Sequence, residues 1–366
     1  MLTDEQIIKE TLKLAEKGRI WVHPNPMVGA ILVRDGLIVE KGYHHFYGGP
    51  HAEIDLLKKV RDSAKGGTLY VNLEPCCHYG KTGPCTNAII DAGIKEVIIG
   101  ESDPNPIVNG KGIAVLRKAG INVRCGILKK ECRNINRIYY KYMMTGMPHV
   151  SVKVAMTLDG KISYDKNKQT TITGTLSQKE VHRLRAEHDA ILIGSRTARV
   201  DNPQLTVRLV RGRSPIRVIL DSHLDLPLKL ELFEPNSKHS TIVATTESFN
   251  KKKYNELISR GIEVLAVKSD KWGRVSIPCL LKNLTTRNIS SILVEGGAEI
   301  FSSFFSAGVV DRYYFFIAPK IFGTGLNGFT FMQKNIRKTL ENNLKFARIK
   351  HCGKDIFIET EMNATE

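Results

Sequence analysis

What this chain has little of narrows its class before any motif is read. Cysteine occurs seven times in 366 residues, an odd number that includes the adjacent pair Cys76 and Cys77. A disulfide framework needs pairs, so a stapled secreted scaffold is disfavoured and a reducing, cytoplasmic setting is expected. No apolar run approaches the roughly 20 residues of a membrane-spanning helix, so no membrane partner is expected. The first residues are acidic and polar rather than a basic leader with an apolar core, and no signal peptide is expected. Acidic side chains are also scarce, 37 against 54 Lys and Arg, which leaves a net charge of +17. That excess raises nucleic acid as a partner. It is spread along the chain without a basic tail, however, and an anionic phosphorylated small molecule would be drawn to it as well. We read it as mostly solvated surface and expect no nucleic-acid partner.

Two short segments carry most of the chemistry. His51-Ala52-Glu53 supplies an imidazole and a carboxylate. Pro75-Cys76-Cys77-His78-Tyr79-Gly80-Lys81-Thr82-Gly83-Pro84-Cys85 supplies thiolates. Any one of these residues alone is better read as packing or surface, since an unpaired cysteine behaves as a small hydrophobe. In this order, His51, Cys76 and Cys85 make a zinc site with three protein ligands, one zinc ion per chain. A closed structural site would need four ligands, whereas a catalytic one leaves a position open. Glu53 lies close enough to shuttle protons without ligating. The order His-x-Glu, then Pro-Cys, is that of the zinc nucleobase deaminases. Two adjacent residues rarely point at one metal, so Cys77 is expected to pack. His44, His45 and His78 are either substrate contacts or surface histidines. The prolines before His51 and Cys85 place both ligands at helix starts, with helices over 52–60 and 86–92.

At this length two separate cores are possible. Thr3-Asp4-Glu5-Gln6 has capping-box spacing. Strands are expected at 28–33, after a turn at Gly36, and at 68–73, 96–99 and 122–125. Helices are expected over 112–118 and 129–144. That alternation describes an α/β/α layered domain. Thr145-Gly146-Met147-Pro148 breaks it, which sets the domains at 1–147 and 148–366. The second half alternates again, with strands at 149–156, 190–194, 216–220, 240–244, 262–266, 291–294 and 312–318, and helices over 177–188 and 298–306. Glu295-Gly296-Gly297 ends a strand and opens a helix, where glycines let backbone approach a phosphate; a tight turn explains it equally well. Arg185 and Arg208 are either phosphate clamps or surface charges.

Taken in order, these segments resemble the bifunctional deaminase–reductases of riboflavin biosynthesis. In the first half the resemblance rests on Asn25-Pro26-Met27-Val28-Gly29, Gly49 to Glu53, Glu74 to Cys85 and Asp103-Pro104-Asn105-Pro106. In the second it rests on Lys153 to Lys161, Gly194 to Arg208 and Val294 to Gly297. Eight residues separate Cys76 from Cys85, where other zinc deaminases have two. The resemblance implies a cytidine-deaminase-like α/β/α domain followed by a dihydrofolate-reductase-like α/β domain. It implies zinc-dependent deamination of a diamino-ribosylaminopyrimidinone 5′-phosphate, then NADPH-dependent reduction of ribosyl to ribityl, with zinc and NADPH as cofactors and a homo-oligomeric assembly.

Carried over residue by residue, the resemblance implies that His51, Cys76 and Cys85 bind zinc and Glu53 moves protons. Asn25, His44, His78, Lys81, Thr82 and Asn105 would line the pyrimidine and phosphate pocket. Lys153, Arg185, Leu205, Arg208 and Glu295 would hold the reductase substrate. Ala155, Thr171, Thr197, Asp201, Ser222, Gly297, Ala298, Glu299 and Ile300 would hold NADPH. Many relatives have Ser-x-Trp-Ile-Thr where this chain has Gln169-Thr170-Thr171-Ile172-Thr173, so Thr171 stands in place of a ring. Two rival readings share the motifs: a transfer-RNA deaminase, which leaves the second half unexplained, and a zinc-stabilised RNA-binding module, in which Glu53 would be dispensable.

Overall fold

In the computed structural model the chain divides into two units, Met1–Gly146 and Met147–Glu366. Residues 2–79, 83–165, 167–235, 237–329 and 344–362 are described. The first unit opens with α1 (Asp4–Ala15). Thr3 Oγ1 accepts from the Gln6 N–H while the Gln6 side chain accepts from the Thr3 N–H, the reciprocal box expected from the sequence. A hairpin of β1 (Gly29–Arg34) and β2 (Leu37–Tyr43) follows. Asp35 and Gly36 both have positive φ between these strands, as a tight two-residue hairpin turn requires.

The chain then alternates through α2 (Ala52–Val60), β3 (Thr68–Leu73), α3 (Cys85–Asp91), β4 (Glu96–Glu101), α4 (Lys111–Lys118) and β5 (Asn122–Cys125). The sheet order is β2-β1-β3-β4-β5. β1 runs antiparallel to β2 and β3, while β3, β4 and β5 are parallel. Side chains alternate across it with period two. Leu32, Leu69, Val71, Val97 and Ile99 meet Leu56, Ile89 and Leu116 on one face. Ile31, Tyr70 and Ile98 meet Ile7, Ile8 and Cys132 on the other. Those two cores make the three layers.

The helix expected over 129–144 is two helices, α5 (Lys129–Ile135) and α6 (Arg137–Thr145). The break is Asn136, which has left helical geometry at φ −99° and ψ 19°. Its buried amide accepts from the Met27 N–H at 2.7 Å and donates to the Met27 carbonyl at 2.9 Å. Asn72, on β3, donates to the same carbonyl and accepts from the Gly29 N–H. Two buried amides therefore hold the irregular 25–29 segment at the edge of the sheet, a demand that helical periodicity does not reveal.

The second unit contains β6 (His149–Thr157), β7 (Lys161–Ser163), α7 (Thr175–Glu187), β8 (Ala190–Gly194), α8 (Ser195–Asp201), β9 (Ile216–Leu220) and β10 (Thr241–Thr245). It continues through α9 (Lys251–Ser259), β11 (Glu263–Ala266), α10 (Ile277–Thr285), β12 (Ser291–Val294), α11 (Ala298–Ser306), β13 (Arg312–Ala318), β14 (Leu326–Asn327), β15 (Leu344–Cys352) and β16 (Asp355–Met362). Its nine-stranded sheet has the order β11-β10-β9-β8-β12-β6-β13-β16-β15. The strands from β11 to β13 are parallel, and β16 and β15 add an antiparallel edge. The near-continuous apolar runs of β8, β9 and β12 follow from cover on both faces. In both units the parallel strands bring their carboxyl ends to one edge, where an open α/β sheet binds ligands.

Replacing Asn136 with Ala leaves buried backbone groups of Met27 with one partner fewer. We expect a loss of roughly 2–4 kcal/mol in the first unit, from two hydrogen bonds and their desolvated partners. Denaturant unfolding checks this; a midpoint unchanged from the parent protein would contradict it.

Candidate active sites: a metal triad and a nucleotide cleft

In the first unit β3 ends at Leu73, and the next residues carry Cys76 to the carboxyl edge of the sheet. Cys85 is the first residue of α3, one position earlier than expected, so Pro84 is the N-cap rather than the first helical residue. The His51 carbonyl accepts the first helical bond of α2, from the Asp55 N–H. These starts converge. His51 Nδ1 lies 3.2 Å from Cys85 Sγ and 3.5 Å from Cys76 Sγ. Donor atoms of the three residues all lie within 4.8 Å of one another.

The donor set fits zinc. Tetrahedral bonds of ordinary length to imidazole and thiolate place nitrogen and sulfur about 3.6 Å apart. Cys77 is outside the cluster, as the sequence suggested. Without metal, a hydrogen bond from Cys85 is the largest influence holding Cys76 well below the usual thiol range. The reciprocal bond is the largest influence pushing Cys85 up. Glu53 on α2 is buried, and burial pushes its carboxyl pKa up, with His51 opposing. A buried carboxyl on the helix that starts just after His51 is placed for proton transfer.

Around the triad, the His44 ring meets the His51 ring edge-on at 5.5 Å. His44 Nδ1 lies 2.8 Å from the Pro50 carbonyl oxygen, which can only accept, so Nδ1 carries the proton. Nε2 then accepts from the Asn25 amide at 3.1 Å. Burial keeps this histidine neutral. The chain orients Asn25, which turns its carbonyl oxygen away from His44 as an acceptor. Among the described residues, His78 Nδ1 and Thr86 Oγ1 are buried and have no hydrogen-bond partner. Asn105 makes a turn of its own, its carbonyl oxygen accepting from the Ile107 N–H. Lys81 and Thr82 lie outside the described residues.

Sequence reasoning missed Glu74. Its buried carboxylate accepts from the N–H groups of Asp103, Gly110 and Ile113, which ties the Cys76 loop to the loop that bears Asn105. The signal available was its place directly before Pro75-Cys76.

In the second unit a cleft of about 860 Å³ opens over the strand ends. All nine residues expected to hold NADPH line it, as do Lys153 and Glu295. Arg185, Leu205 and Arg208 are not among its lining residues. Arg185 grips Glu295 with two bonds, Nε to Oε1 at 2.8 Å and Nη2 to Oε2 at 3.0 Å. Its Nη1 donates to the Thr206 carbonyl. Arg185 is therefore a brace for Glu295. Lys153 Nζ approaches the same carboxylate at 3.2 Å. Burial raises the pKa of Glu295, but Arg185 and Lys153 outweigh it and bring it down to about 2.

Leu205 is buried with φ +58°, a left-handed conformation uncommon for leucine. Three residues on, the Arg208 N–H donates to His182 Nδ1 at 3.0 Å. Burial, then Arg185 and Arg208, lower the pKa of His182 to about 4 and keep that acceptor neutral. His182 was also missed, although it precedes Arg185 by three residues and so shares its helix face.

The glycines serve two purposes. A Cβ on Gly296 would sit 2.8 Å from Ile300, so that residue permits close packing of α11. A Cβ on Gly297 would meet only Thr197 Oγ1 at 3.5 Å, which leaves the start of α11 open to the cleft.

A donor triad of the kind deaminases use for zinc in one unit, and an open cleft over parallel strand ends in the other, fit the class of bifunctional deaminase–reductases. Comparison with known proteins agrees. Residues 1–101 match the cytidine and deoxycytidylate deaminase zinc-binding region, and residues 148–358 match the RibD C-terminal domain. The chain is 39% identical to the riboflavin biosynthesis protein RibD of Aquifex aeolicus, covering 97% of each, and 35% identical to that of Escherichia coli, covering 97% and 98%. It superposes on the Acinetobacter baumannii RibD with a TM-score of 0.85 at 31% identity, covering 99% of each chain. A Thermotoga maritima deaminase/reductase gives the same score at 37% identity and 98% coverage of each. The chain belongs to the RibD family of riboflavin biosynthesis proteins. It is a zinc- and NADPH-dependent deaminase and reductase acting on a phosphorylated pyrimidine.

The Glu295 cluster is open to a direct test. Because its folded pKa lies below the ordinary 4.5, its stabilisation is present above that value and is lost as pH falls toward about 2. Glu295→Gln leaves Arg185 and Lys153 without their counter-charge, and we expect a loss of about 3–5 kcal/mol in the second unit at neutral pH. The variant's stability should also fall less steeply than the parent's below pH 4.5. Parallel unfolding curves would contradict this.

Proposed function

We propose that His51, Cys76 and Cys85 hold the zinc and that Glu53 is the catalytic proton carrier. When bound, zinc supplies an activated water near neutral pH. Glu53 accepts the proton of that water and delivers it to the departing amine of 2,5-diamino-6-ribosylamino-4(3H)-pyrimidinone 5′-phosphate, so that water and the amine become a carbonyl and ammonia. Asn25 offers its oriented carbonyl to a ring N–H, and His78 completes its unpartnered nitrogen on the substrate. His44 positions Asn25. Lys81, Thr82 and Asn105 are carried as phosphate and pyrimidine contacts.

In the second unit we propose that Lys153 and Glu295, braced by Arg185, hold the ribosyl group, with Leu205 and Arg208 bounding the phosphate. Ala155, Thr171, Thr197, Asp201, Ser222 and the start of α11, from Gly297 to Ile300, hold NADPH. Hydride transfer needs the nicotinamide over the sugar carbon, and positioning is most of what the protein adds. The cysteines, all free, favour a reducing cytoplasm. A homo-oligomer is part of the proposal, with no interface assigned.

The observation that carries this reading is the convergence of three soft and borderline donors beside a buried carboxyl. Glu53→Gln should retain one zinc per chain and lower ammonia release by about 10²- to 10⁴-fold, the usual worth of a positioned acid–base group. NADPH oxidation with already deaminated substrate should continue. Ammonia release at the parent rate would contradict the assignment and favour the binding-module reading.

A further inference from the structure

The nucleotide cleft extends beyond the residues assigned so far. Its far wall is the segment 269–275 with the start of α10, contributing Asp270, Lys271, Trp272, Arg274 and Ile277. This segment is a built turn. Ser269 and Val275 form an antiparallel bridge, and Gly273 supplies the positive φ. Asp270 Oδ1 accepts from the N–H groups of both Trp272 and Arg274. The Val275 N–H donates to Ser222 Oγ, which fastens the turn to the end of β9.

Position along the sheet orients a dinucleotide. Lys153 and Glu295 mark the substrate end, on β6 and just after β12. β8 and β9 follow in order, with Ser222 just past β9. Three strand spacings of about 4.8 Å give roughly 14 Å from the β6 end to the β9 end. That span suits a nicotinamide at the substrate end and an adenosine beside Ser222 and the 269–275 turn.

The turn presents the chemistry that an adenosine 2′-phosphate needs. The Trp272 indole is half-exposed, and Lys271 Nζ and Arg274 Cζ lie 4.4 and 4.9 Å from its ring centroid. Arg274 Nε is 3.4 Å from Asp270 Oδ2 and makes no hydrogen bond among the described residues. The carboxylate thus steadies one edge of the guanidinium while the fork remains to grip a phosphate, the group that separates NADPH from NADH. Other cations in the cleft are placed differently. Lys153 pairs with Glu295, Arg196 lies 4.0 Å from Glu299, and Lys168 follows β7 rather than β9.

We infer that Trp272 and Arg274 form the adenosine 2′-phosphate subsite of the reductase, with the indole stacked on adenine and the guanidinium on the phosphate. This rests on the cleft being the NADPH site. Trp21 is the only other tryptophan in the chain, so the full-length Trp21→Phe protein reports Trp272 alone. Titration with NADP⁺, NAD⁺ and adenosine 2′,5′-bisphosphate, followed by tryptophan emission and by calorimetry, tests the inference. NADP⁺ and the bisphosphate should quench Trp272. Arg274→Ala should weaken both about 10- to 100-fold, the range for a charge-assisted phosphate contact, with NAD⁺ affinity kept within about twofold as the folding control. Unchanged NADP⁺ affinity, or equal losses for NADP⁺ and NAD⁺, would overturn the subsite while leaving the cleft assignment standing. No NADP⁺ binding to the parent protein would overturn both.

Discussion

Two sulfurs and one ring nitrogen drawn within bonding distance of a common point are the constraint on which the first unit depends. Such a cluster is unfavourable to bury without a cation, because each thiolate loses its hydration. The protein offsets this locally. α2 starts just after His51 and α3 starts at Cys85. The first turn of α3 brings the Cys85 N–H to Cys76 Sγ at 3.4 Å. Glu74, directly before Pro75-Cys76, uses three backbone donors to hold the next loop against the same edge. Asn72 and Asn136 fix the segment that carries Asn25. Asn72, Glu74 and Asn136 therefore serve placement of the triad and its surroundings.

Each unit buries a glutamate at its candidate site, and the surroundings move the two proton affinities in opposite directions. Glu53 has two sulfurs and one imidazole near it, so burial prevails and its pKa rises. Glu295 has a guanidinium and an ammonium within hydrogen-bonding reach, so the charges prevail and its pKa falls. Both effects are ordinary electrostatics. The difference fits the roles proposed above, Glu53 as a proton carrier and Glu295 as a fixed anion paired with Lys153 and Arg185. Environment rather than residue type assigns function.

Much of this was legible in the chain. The capping box at Thr3, the strand at 68–73 and the clustering of His51, Cys76 and Cys85 announce themselves through spacing, because short-range patterns encode local geometry. Residues used across long separations were not legible. Asn136 reads as one more polar residue in a helix, yet its bond to Met27 breaks that helix. Glu74 appears only as the start of the Glu74 to Cys85 segment, and His182 only as one residue of the helix over 177–188. The edge strand β15 was also missed, since Leu344, Phe346 and Ile349 alternate with Lys and Arg and face outward with little burial to mark them. α8, α9 and α10 fell in stretches read as connections, although Asn250 caps α9 in the usual way.

On the proposed assignment, one zinc ion is held by two thiolates and one imidazole, with the remainder of its coordination left to solvent. X-ray absorption at the zinc edge of the purified full-length protein tests it most directly. The expected first shell is two sulfurs near 2.3 Å with light atoms near about 2.0–2.1 Å, at one zinc per chain. A third sulfur, which would bring in Cys77, or the absence of bound zinc from active protein, would contradict the account.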